Sequence, residues 1–364
     1  MGAKVIIIQP CVLRYRVGLY KELSNKFGYS NLKVLAPSRS SDGQESYHIV
    51  KNYFNLDQRI TECKIWKFYY QKLSLGQLKE YSHVVVTGNP KYISNYLLYV
   101  YCKLHGIKVV WWGQGWSAKT NKLSYLARRM IMKLFDSVIL YTESEAKEMA
   151  RHRIRPKITG YTDNGLDVSE IDNYRINDNL SSVSSKESIN LIFIGRITQK
   201  SKFPLLLSAM ENIAEKFHLH VIGDGQIDEN CKLMIENLGK RVTFHGAIQS
   251  ECKIAGIMNY MDFFVYPGSV GLSLIHSFAY GLPAIIHNNR IAHMPEVAAF
   301  EDGLNGLTFK ENDVSDLTAT LSRTEVLINT ESYKNMRINA RKVVDVKYNT
   351  TSMAEKFKQT IDIT

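Results

Sequence analysis

Residues 262–289 read DFFVYPGSVGLSLIHSFAYGLPAIIHNN. The apolar run 263–266 predicts a buried strand, which Pro267-Gly268-Ser269 ends. A helix over about 271–280 and a second strand over 284–286 follow, so the stretch is typical of a strand–loop–helix–strand unit. The free N–H groups and the dipole at a glycine-rich helix start favour phosphate binding. An ordinary crossover between parallel strands carries the same pattern, and the stretch alone does not separate the two.

The same alternation continues on both sides of this stretch. Strands are predicted at 5–8, 32–36, 83–87, 108–112, 137–141, 190–194, 218–222 and 242–245, and helices at 17–27, 91–105, 117–135, 143–151, 204–216, 228–238, 250–260 and 350–363. Residues 37–60 are polar and predicted irregular. Alternating strands and helices predict α/β architecture with doubly wound parallel sheets. The Ser- and Asn-rich segment 169–188 is interpreted as a linker between two domains.

Glycines follow four strands of the second half, at Gly195, Gly223, Gly246 and Gly268. In a doubly wound sheet, ligands bind at the carboxyl ends of the strands, where these glycines lie. Arg196, with Lys200 or Lys202, adds cations beside the start of the helix at 271. Cations and free helix N–H groups together favour a diphosphate. The pattern therefore predicts a nucleotide site in the second half.

The charge is unevenly distributed. The chain carries a formal net charge of +11. Residues 1–160 hold 26 Lys and Arg against 10 Asp and Glu, an excess of 16 positive charges, and the remainder carries an excess of five negative charges. The basic residues of the first half alternate with large apolar ones, as in 64–72 and 119–133. This mixture favours an anionic membrane surface, with a solvated basic face as the alternative. A nucleic-acid partner is disfavoured, because arginine-rich tails and RNA-binding signatures are absent.

Other features of the composition restrict the possibilities. Five cysteines are dispersed without a C-x-x-C pair, which argues for a reducing compartment and against a disulfide framework or a zinc site. The N-terminal apolar run is too short for a signal peptide. No run of about 18 apolar residues occurs, so we expect no transmembrane helix.

The loops at 9–16, 87–91, 112–117 and 141–145 are the ligand-binding candidates of the first half. In Gly113-Gln114-Gly115 the glycines let a ligand approach the backbone, and Gln114 offers a donor and an acceptor to hydroxyls, although a simple turn fits equally well. Arg16 is a candidate for an anionic group, with a solvated helix-start residue as the alternative. We interpret Trp111, Trp112 and Trp116 as packing residues rather than as a sugar platform.

Several motifs occur in order: NGLD at 164–167, FIGRITQKSKFPLLLSA at 193–209, VIGDGQ at 221–226, VTFHGAI at 242–248, the block 266–285 and DGLNGL at 302–307. Together they resemble the retaining GT-B glycosyltransferases of family 4. The resemblance is strong over 160–310 and weaker over 1–160, where QPCVLRYRVGLYKEL resembles bacterial capsule and lipopolysaccharide members.

The resemblance implies two Rossmann-like domains facing across a cleft. Residues 1–168 would bind the acceptor, with the helix 350–364 packing back on them. Residues 169–349 would bind a nucleotide-sugar donor. The implied catalytic residues are Arg196, Lys202 and Gln114. The implied donor-binding residues are Gly195, Arg196, Lys200, Lys202, Gly223, Gly246, Ala247, Ile248, Gly268, Gly271, Leu272, Ser273 and His276. The implied acceptor-binding residues are Tyr15, Arg16, Gly113, Gln114 and Gly115. An ungapped match puts Ser201 at the place of the family's lysine, and we favour its neighbour Lys202.

This chain departs from the family at two glutamates of the central block, whose places Gly268 and His276 occupy. The second glutamate usually holds the donor ribose hydroxyls, a role that His276 replaces in part, since each ring nitrogen makes one hydrogen bond. Gly268 has no side chain to replace the first. The family's N-terminal histidine near the sugar is not evident, and Gln114 is the candidate for a comparable place. These changes imply one of two outcomes: a modified donor pocket or a loss of activity. We favour the first.

The expected reaction is transfer of a sugar from a nucleoside diphosphate, with UDP and GDP as first candidates, to a hydroxyl of a lipid-linked or polysaccharide acceptor, with retention. No D-x-D motif occurs near the site, so we expect no cofactor and no metal. The expected location is cytoplasmic, on the inner face of the membrane. The alternatives are a non-catalytic nucleotide-sugar-binding or assembly protein and a GT-B-shaped sugar-nucleotide epimerase.

Overall fold

The computed structural model describes residues 2–47, 53–115, 122–176 and 188–364. The chain divides into two units. Unit 1 comprises Met1–Asp167 together with Asn349–Thr364, and unit 2 comprises Val168–Tyr348. The sequence prediction sets the division after residue 168 and the return at 350, so each boundary differs by one residue.

Unit 1 is built on a parallel sheet. Its strands are β1 (Val5–Ile8), β2 (Leu32–Leu35), β3 (Asn55–Asp57), β6 (His83–Thr87), β7 (Lys108–Trp112), β8 (Ser137–Leu140) and β9 (Ile158–Tyr161), and an antiparallel hairpin is formed by β4 (Thr61–Ile65) and β5 (Phe68–Lys72). Its helices are α1 (Val17–Phe27), α2 (Ser94–Leu104), α3 (Lys122–Met132), α4 (Glu143–Ala150) and α12 (Thr350–Asp362). Within the described residues the strand order is β3-β2-β1-β6-β7-β8-β9, and the pairings are parallel.

Both faces of this sheet are covered, because successive side chains of a strand point to opposite faces. In β1, Val5 and Ile7 join a cluster with residues of α1 and α12. Ile6 and Ile8 join a cluster with residues of α2 and with residues flanking the hairpin. All four are fully buried. A sheet buried on both sides explains the nearly continuous apolar runs that made its strands visible in the sequence.

The C-terminal helix α12 packs within unit 1. It lies against α1 and β9, and the Phe357 ring meets the Trp112 indole edge-on at 5.3 Å. Gly160 of β9 permits this approach, because a Cβ there would collide with the Thr360 side chain.

Unit 2 contains a second parallel sheet. Its strands are β10 (Ile189–Ile194), β11 (Phe217–Ile222), β12 (Val242–Gly246), β13 (Phe263–Tyr266), β14 (Ala284–His287) and β15 (Gly306–Phe309). Its helices are α5 (Ser169–Asp172), α6 (Phe203–Glu211), α7 (Glu229–Leu238), α8 (Glu251–Met258), α9 (Leu272–Ala279), α10 (Val314–Leu327) and α11 (Glu331–Val346). Within the described residues the strand order is β12-β11-β10-β13-β14-β15. The expected doubly wound α/β class is confirmed in both units.

Several local predictions are wrong. Residues 55–57 are not irregular, because Leu56 pairs with Val34 at the sheet edge. The hairpin β4–β5 falls where the sequence showed only mixed basic and apolar residues. The linker prediction fails at 169–172, which form α5, and its part at 177–187 lies outside the described residues, as do 117–121 of a predicted helix. The helix predicted over 204–216 ends at Glu211.

Candidate functional site

The carboxyl ends of β10, β11 and β12 lie side by side, and glycines line them. The Gly195 N–H donates to the Ile222 carbonyl at 3.0 Å, and the Gly223 N–H donates to the Gly246 carbonyl at 2.8 Å. Gly223 has φ +144°, and a Cβ on it would collide with the carbonyl oxygen of Gly195. The close approach of two backbones therefore requires this glycine, independently of any ligand.

The loop after β10 presents Arg196 to solvent. The rings of Phe193 and Tyr266, on the neighbouring strands β10 and β13, stack at 4.9 Å. Burial raises the pKa of Tyr266, and the nearby Arg196 charge opposes that rise. Arg196 is therefore an exposed cation close to Tyr266, at the edge of the sheet where the sequence predicts a diphosphate.

The structure separates the three candidates for the second cation. Ser201 is fully buried, accepts from the Thr198 N–H at 3.0 Å and donates to the Thr198 carbonyl at 2.7 Å. Its hydroxyl closes a turn and does not face a ligand. Lys200 is exposed. Lys202 has left-handed backbone with φ +49° and directs its Nζ to Glu311 at 2.7 Å.

Glu311 holds Lys202 in this position. Its other carboxylate oxygen accepts from Asn289 Nδ2 at 2.6 Å. The hydrogen bonds from Lys202 and Asn289 lower the pKa of Glu311 to about 2, so this carboxylate stays charged throughout the physiological range. Lys202 must leave Glu311 or share it in order to contact a diphosphate.

Gly268 does not open space for a ligand. A Cβ at this position would collide with the carbonyl oxygen of Lys200, which accepts from the Ser269 N–H at 2.9 Å. The place is therefore filled by the backbone of the loop 195–202. Its lack of a side chain lets this loop pack against the central block, and the expectation that Gly268 lines the donor pocket stays a prediction.

The start of α9 has the geometry that favours an anion. Gly271 is its N-cap, and no side chain caps the helix, so its first N–H groups have no partner within the helix. Gly271, Leu272 and Ser273 are half-buried. The loop before them is fixed by His293, whose Nδ1 accepts from the Val270 N–H at 3.2 Å.

A second histidine supports this loop. His293 Nε2 donates to the His287 carbonyl at 2.9 Å, and the two rings stack at 3.8 Å. Burial lowers the pKa of His287 to about 4, with His293 and Lys202 acting in the same direction and Glu311 opposing them. Neutral imidazoles therefore hold the approach to α9 at physiological pH.

His276 of α9 meets a carboxylate from another helix. Its Nε2 lies 2.8 Å from Glu251 Oε1. The Tyr280 hydroxyl donates to the same oxygen at 2.6 Å. Burial and Glu251 raise the pKa of Tyr280. Sequence reasoning missed Glu251. The feature that could have indicated it is an acidic residue at the first position of α8, just after the loop of Gly246, Ala247 and Ile248.

In unit 1, Gly113 lies against another backbone segment, and the Gly115 N–H is bound by a carboxylate. A Cβ on Gly113 would collide with Gly88, at the end of the adjacent strand β6. The Gly115 N–H donates to Glu145 Oε1 at 2.9 Å. Glu145, buried, also accepts from the Thr142 N–H at 3.0 Å as part of a capping box for α4. The Gln114 carbonyl accepts from Arg128 Nη1 at 3.1 Å, and its side chain is half-buried.

Arg16 is not the solvated residue that one interpretation of the sequence allows. Only 7% of it is exposed. Its guanidinium carbon lies 4.8 Å from the Trp112 ring, 5.3 Å from the Tyr141 ring and 5.4 Å from the ring of Tyr15. Its Nη1 has no hydrogen-bond partner among the described residues. The packing interpretation of Trp111 and Trp112 agrees with their burial, and Trp116 lies outside the described residues.

The described part of the chain contains no group of three or more His, Cys, Asp and Glu side chains arranged to hold a metal ion. Among its helices, none combines the length and the apolarity that a bilayer crossing requires.

Comparison with known proteins finds a family model that matches part of unit 2. Residues 188–324 match the model of glycosyl transferases group 1. This part of the chain is similar to that family. It includes β10, the start of α9 and the candidate residues from Gly195 to His276, and the family resemblance predicted from the motifs is confirmed.

Two curated relatives share part of the chain. A 41.2 kDa protein in the cps region of Klebsiella pneumoniae is 29% identical over 135 residues, which is 36% of this chain and 35% of that protein. A Campylobacter jejuni α-1,4-N-acetyl-D-galactosaminyltransferase, named for a GalNAc-GalNAc-diNAcBac-PP-undecaprenol acceptor, is 24% identical over 176 residues, 45% of this chain and 46% of that protein. Each match thus spans less than half of the relative.

Two solved structures share the fold over nearly the whole chain. A glycosyltransferase from Rickettsia africae has a TM-score of 0.74 at 12% identity and covers 100% of both chains. Anabaena HepE in complex with UDP has a TM-score of 0.72 at 13% identity, over 99% of this chain and 100% of that one. The chain therefore has the GT-B fold.

Proposed function

We propose that this chain transfers a sugar from a nucleoside-diphosphate sugar to a hydroxyl of a lipid-linked or polysaccharide acceptor, with retention, in cell-surface polysaccharide synthesis. The observation that carries the proposal is that the exposed Arg196 follows β10 while the uncapped start of α9 follows the paired strand β13, within the residues that match the glycosyl transferases group 1 model. The HepE complex with UDP supports a nucleotide donor. The undecaprenol-linked acceptor in the name of the Campylobacter relative supports a lipid-linked acceptor.

The proposed chemistry is electrostatic. As the bond to the sugar breaks, negative charge develops on the leaving diphosphate. Arg196 and the N–H groups at 271–273 stabilise that charge, and Lys202 contributes once it leaves Glu311. The departing phosphate oxygen takes the proton of the acceptor hydroxyl, so no protein base and no metal are required. We expect turnover in excess chelator to equal turnover without chelator.

The donor ribose has a proposed partner despite the missing glutamates. His276 keeps Nδ1 for a hydroxyl while Nε2 is held by Glu251. A carboxylate is thus supplied from α8 rather than from α9. Replacing Glu251 with Gln is expected to weaken UDP binding by about tenfold, the effect of one charge-assisted hydrogen bond, and to weaken 2′,3′-dideoxy-UDP much less. Equal losses for both ligands would contradict a ribose role.

The acceptor is assigned to unit 1. The side chain of Gln114 would meet acceptor hydroxyls, and Arg16 with Tyr15 would meet an anionic group. The excess of positive charge in residues 1–160 supports an anionic membrane surface as a further partner, with the protein peripheral on its cytoplasmic side.

The proposal is tested by thermal shift with UDP-, GDP-, ADP- and dTDP-sugars, followed by acceptor-dependent release of nucleoside diphosphate. A rise in melting temperature with one donor identifies the base, because a ligand of the native state stabilises it. Release that requires acceptor supports transfer. Interconversion of the donor sugar without acceptor would indicate an epimerase. Binding without any turnover would favour the non-catalytic alternative.

A further inference from the structure

The hairpin β4–β5 ends in an unusual turn. Its strands pair antiparallel up to Ile65 and Phe68, and Trp66 and Lys67 form the two-residue connection. Trp66 has φ +56°. A bulky aromatic residue is strained in this left-handed conformation, which glycine or asparagine adopts readily. The strain falls on a residue whose indole does not pack in the core.

The tip is exposed and apolar. The exposed fractions are 77% for Trp66, 56% for Ile65 and 40% for Phe68. The Trp66 and Phe68 rings lie 6.3 Å apart, and Lys67 Nζ lies 4.7 Å from the centre of the Trp66 ring. Three adjacent apolar side chains at one turn, with an ammonium above the indole, make a small amphipathic cluster.

The base of the hairpin is firmly held. The Tyr69 N–H donates to the Lys91 carbonyl at 2.9 Å, and the Ile93 N–H donates to the Tyr69 carbonyl at 3.0 Å. The rings of Tyr69 and Tyr92 stack at 4.9 Å. The Gln71 N–H donates to Ser94 Oγ at 3.2 Å. The tip is therefore carried on a fixed support.

The charge around the tip is positive. Within 61–72 the basic residues are Lys64, Lys67 and Lys72, and Glu62 is the one carboxylate. Lys64 is paired with Asp42, at 2.8 Å from its Nζ to Oδ1, so the excess charge comes from Lys67 and Lys72. Glu62 is directed inward, where it accepts from Ser41 Oγ at 2.8 Å and Gln71 Nε2 at 3.0 Å. Among the described residues, Lys67 and Lys72 form no ion pair. Their charge complements an anionic surface.

Helix α2 also carries exposed apolar side chains. Leu97, Val100 and Leu104 are exposed by 59%, 56% and 78%, and their spacing places them on one side of the helix. The opposite side of α2 packs into the core cluster that also contains Ile60 and Leu73, which flank the hairpin. The hairpin and α2 thus cover the same face of the sheet.

We propose that residues 65–68 insert into the headgroup region of an anionic bilayer, with the exposed stripe of α2 lying against the same surface. Indole rings favour the membrane–water interface, and lysines beside them bind anionic headgroups. The positive excess of the first half supports this occupant over a glycan or a second copy of the chain. The inference deepens the membrane partner proposed above, and it names the element that makes the contact.

The substitution Trp66→Gly tests it with two readouts of opposite sign. Glycine removes the indole and relieves the strain, so the melting temperature should stay equal or rise. Binding to vesicles of phosphatidylglycerol and phosphatidylcholine should fall about tenfold, from the lost apolar burial. The matched control is Val326→Ser, which changes a 75% exposed apolar residue of unit 2 and should leave vesicle binding unchanged.

The double substitution Lys67→Glu, Lys72→Glu should abolish the preference for vesicles with phosphatidylglycerol. Vesicle binding by Trp66→Gly at the strength of the native chain would overturn the inference. A loss of transfer to a short water-soluble acceptor would assign the tip to the glycan instead. A change from dimer to monomer in Trp66→Gly would assign it to a second copy. Donor binding is measured in parallel, so a failure of the donor site is distinguished from a failure of the hairpin.

Discussion

The two units use the carboxyl edges of similar sheets in different ways. In unit 2 the cations lie at the surface, where Arg196 is exposed and Lys202 is paired with Glu311 at 2.7 Å. In unit 1 the cation is inside: Arg16 is 7% exposed and surrounded by aromatic rings. One edge therefore offers a charge that a ligand can reach at once, and the other keeps a charge in an aromatic cage.

This difference in burial between the cations of unit 2 and Arg16 of unit 1 indicates different roles for them. A buried guanidinium without a carboxylate is costly, and aromatic faces offset that cost only in part. In unit 2, Glu311 neutralises the half-buried Lys202 at little cost. We infer that unit 2 binds a ligand of high charge through exposed groups, whereas unit 1 reserves one cation for a particular anion. The predictions below test this contrast.

The largest expected effect is at Arg196. Replacing it with Ala should lower kcat/KM at least about 100-fold, since removal of one group that stabilises the leaving charge typically costs that much. The melting temperature should hardly change, because the side chain is exposed. Arg290→Ala, at another exposed arginine of unit 2, is the control in steady-state assays. Unchanged turnover in the Arg196 variant would remove the basis of the proposed donor site.

Acid should weaken unit 2 through His287. Its pKa of about 4 lies below the unfolded value of about 6.5, so between these values the unfolded chain binds more protons than the native one. Stability is therefore lost as the pH falls through this window, by about 2 kcal/mol between pH 7 and pH 5. Urea titrations of the native chain and of His287→Gln at both pH values measure it. The same loss in the variant would assign the effect to other groups, and His105→Gln, at an exposed histidine of unit 1, controls for the substitution.

The contrast at Arg16 is tested by the methionine variant, which keeps a long unbranched side chain and removes the charge. If the cation is kept for an anionic acceptor, Arg16→Met should hold or raise the melting temperature. The KM for a phosphate-bearing acceptor should rise about tenfold, the typical effect of losing a hydrogen bond to a charged group. Donor binding should stay the same.

A purely structural Arg16 gives the opposite pattern, with a lower melting temperature and an unchanged acceptor KM. The control is Arg14→Met, at the exposed arginine two residues earlier.

The sequence predicted the architecture well, because β-strands buried on both faces appear as apolar runs, such as 5–8 and 191–194, between polar helices. It failed at β3 and the hairpin β4–β5. Those strands lie at an edge or outside the sheet, and their exposed residues break the apolar pattern. Elements of this kind are set by tertiary contacts, here with residues 91–94 and with β2.

The predicted site residues stay a prediction, but the structure shows which kind of signal the sequence carried for them. The strand ends and the start of α9 were visible as glycines beside arginine and lysine. The partners Glu311, Glu251 and Glu145 come from distant segments or from helix starts. A local pattern shows an acidic residue at a helix start, as at Glu251, but not the side chain with which it pairs. The glycines were ambiguous for a related reason: the approach of a second backbone, as at Gly223 and Gly268, requires the same residue as the approach of a ligand.

The smallest and most discriminating effect is expected at Glu311. Replacing it with Gln removes the charge that holds Lys202 while keeping a hydrogen-bonding side chain of nearly the same shape. If Lys202 is the second diphosphate cation, the variant no longer has to break an ion pair before binding, so its affinity for UDP should rise a few-fold, the order of a partly exposed ion pair. Calorimetric titration measures this change.

The double variant Glu311→Gln, Lys202→Met should lose the gain, whereas Glu311→Gln, Lys200→Met should keep it. If the gain instead disappears with Lys200, the diphosphate is held by the exposed lysine, and the pair of Lys202 and Glu311 only fixes the loop. In that case unit 2 binds its ligand entirely through cations that are free at the surface. The two units would then differ more than the structure alone indicates, because every ligand-binding cation of unit 2 would be exposed and Arg16 of unit 1 is buried.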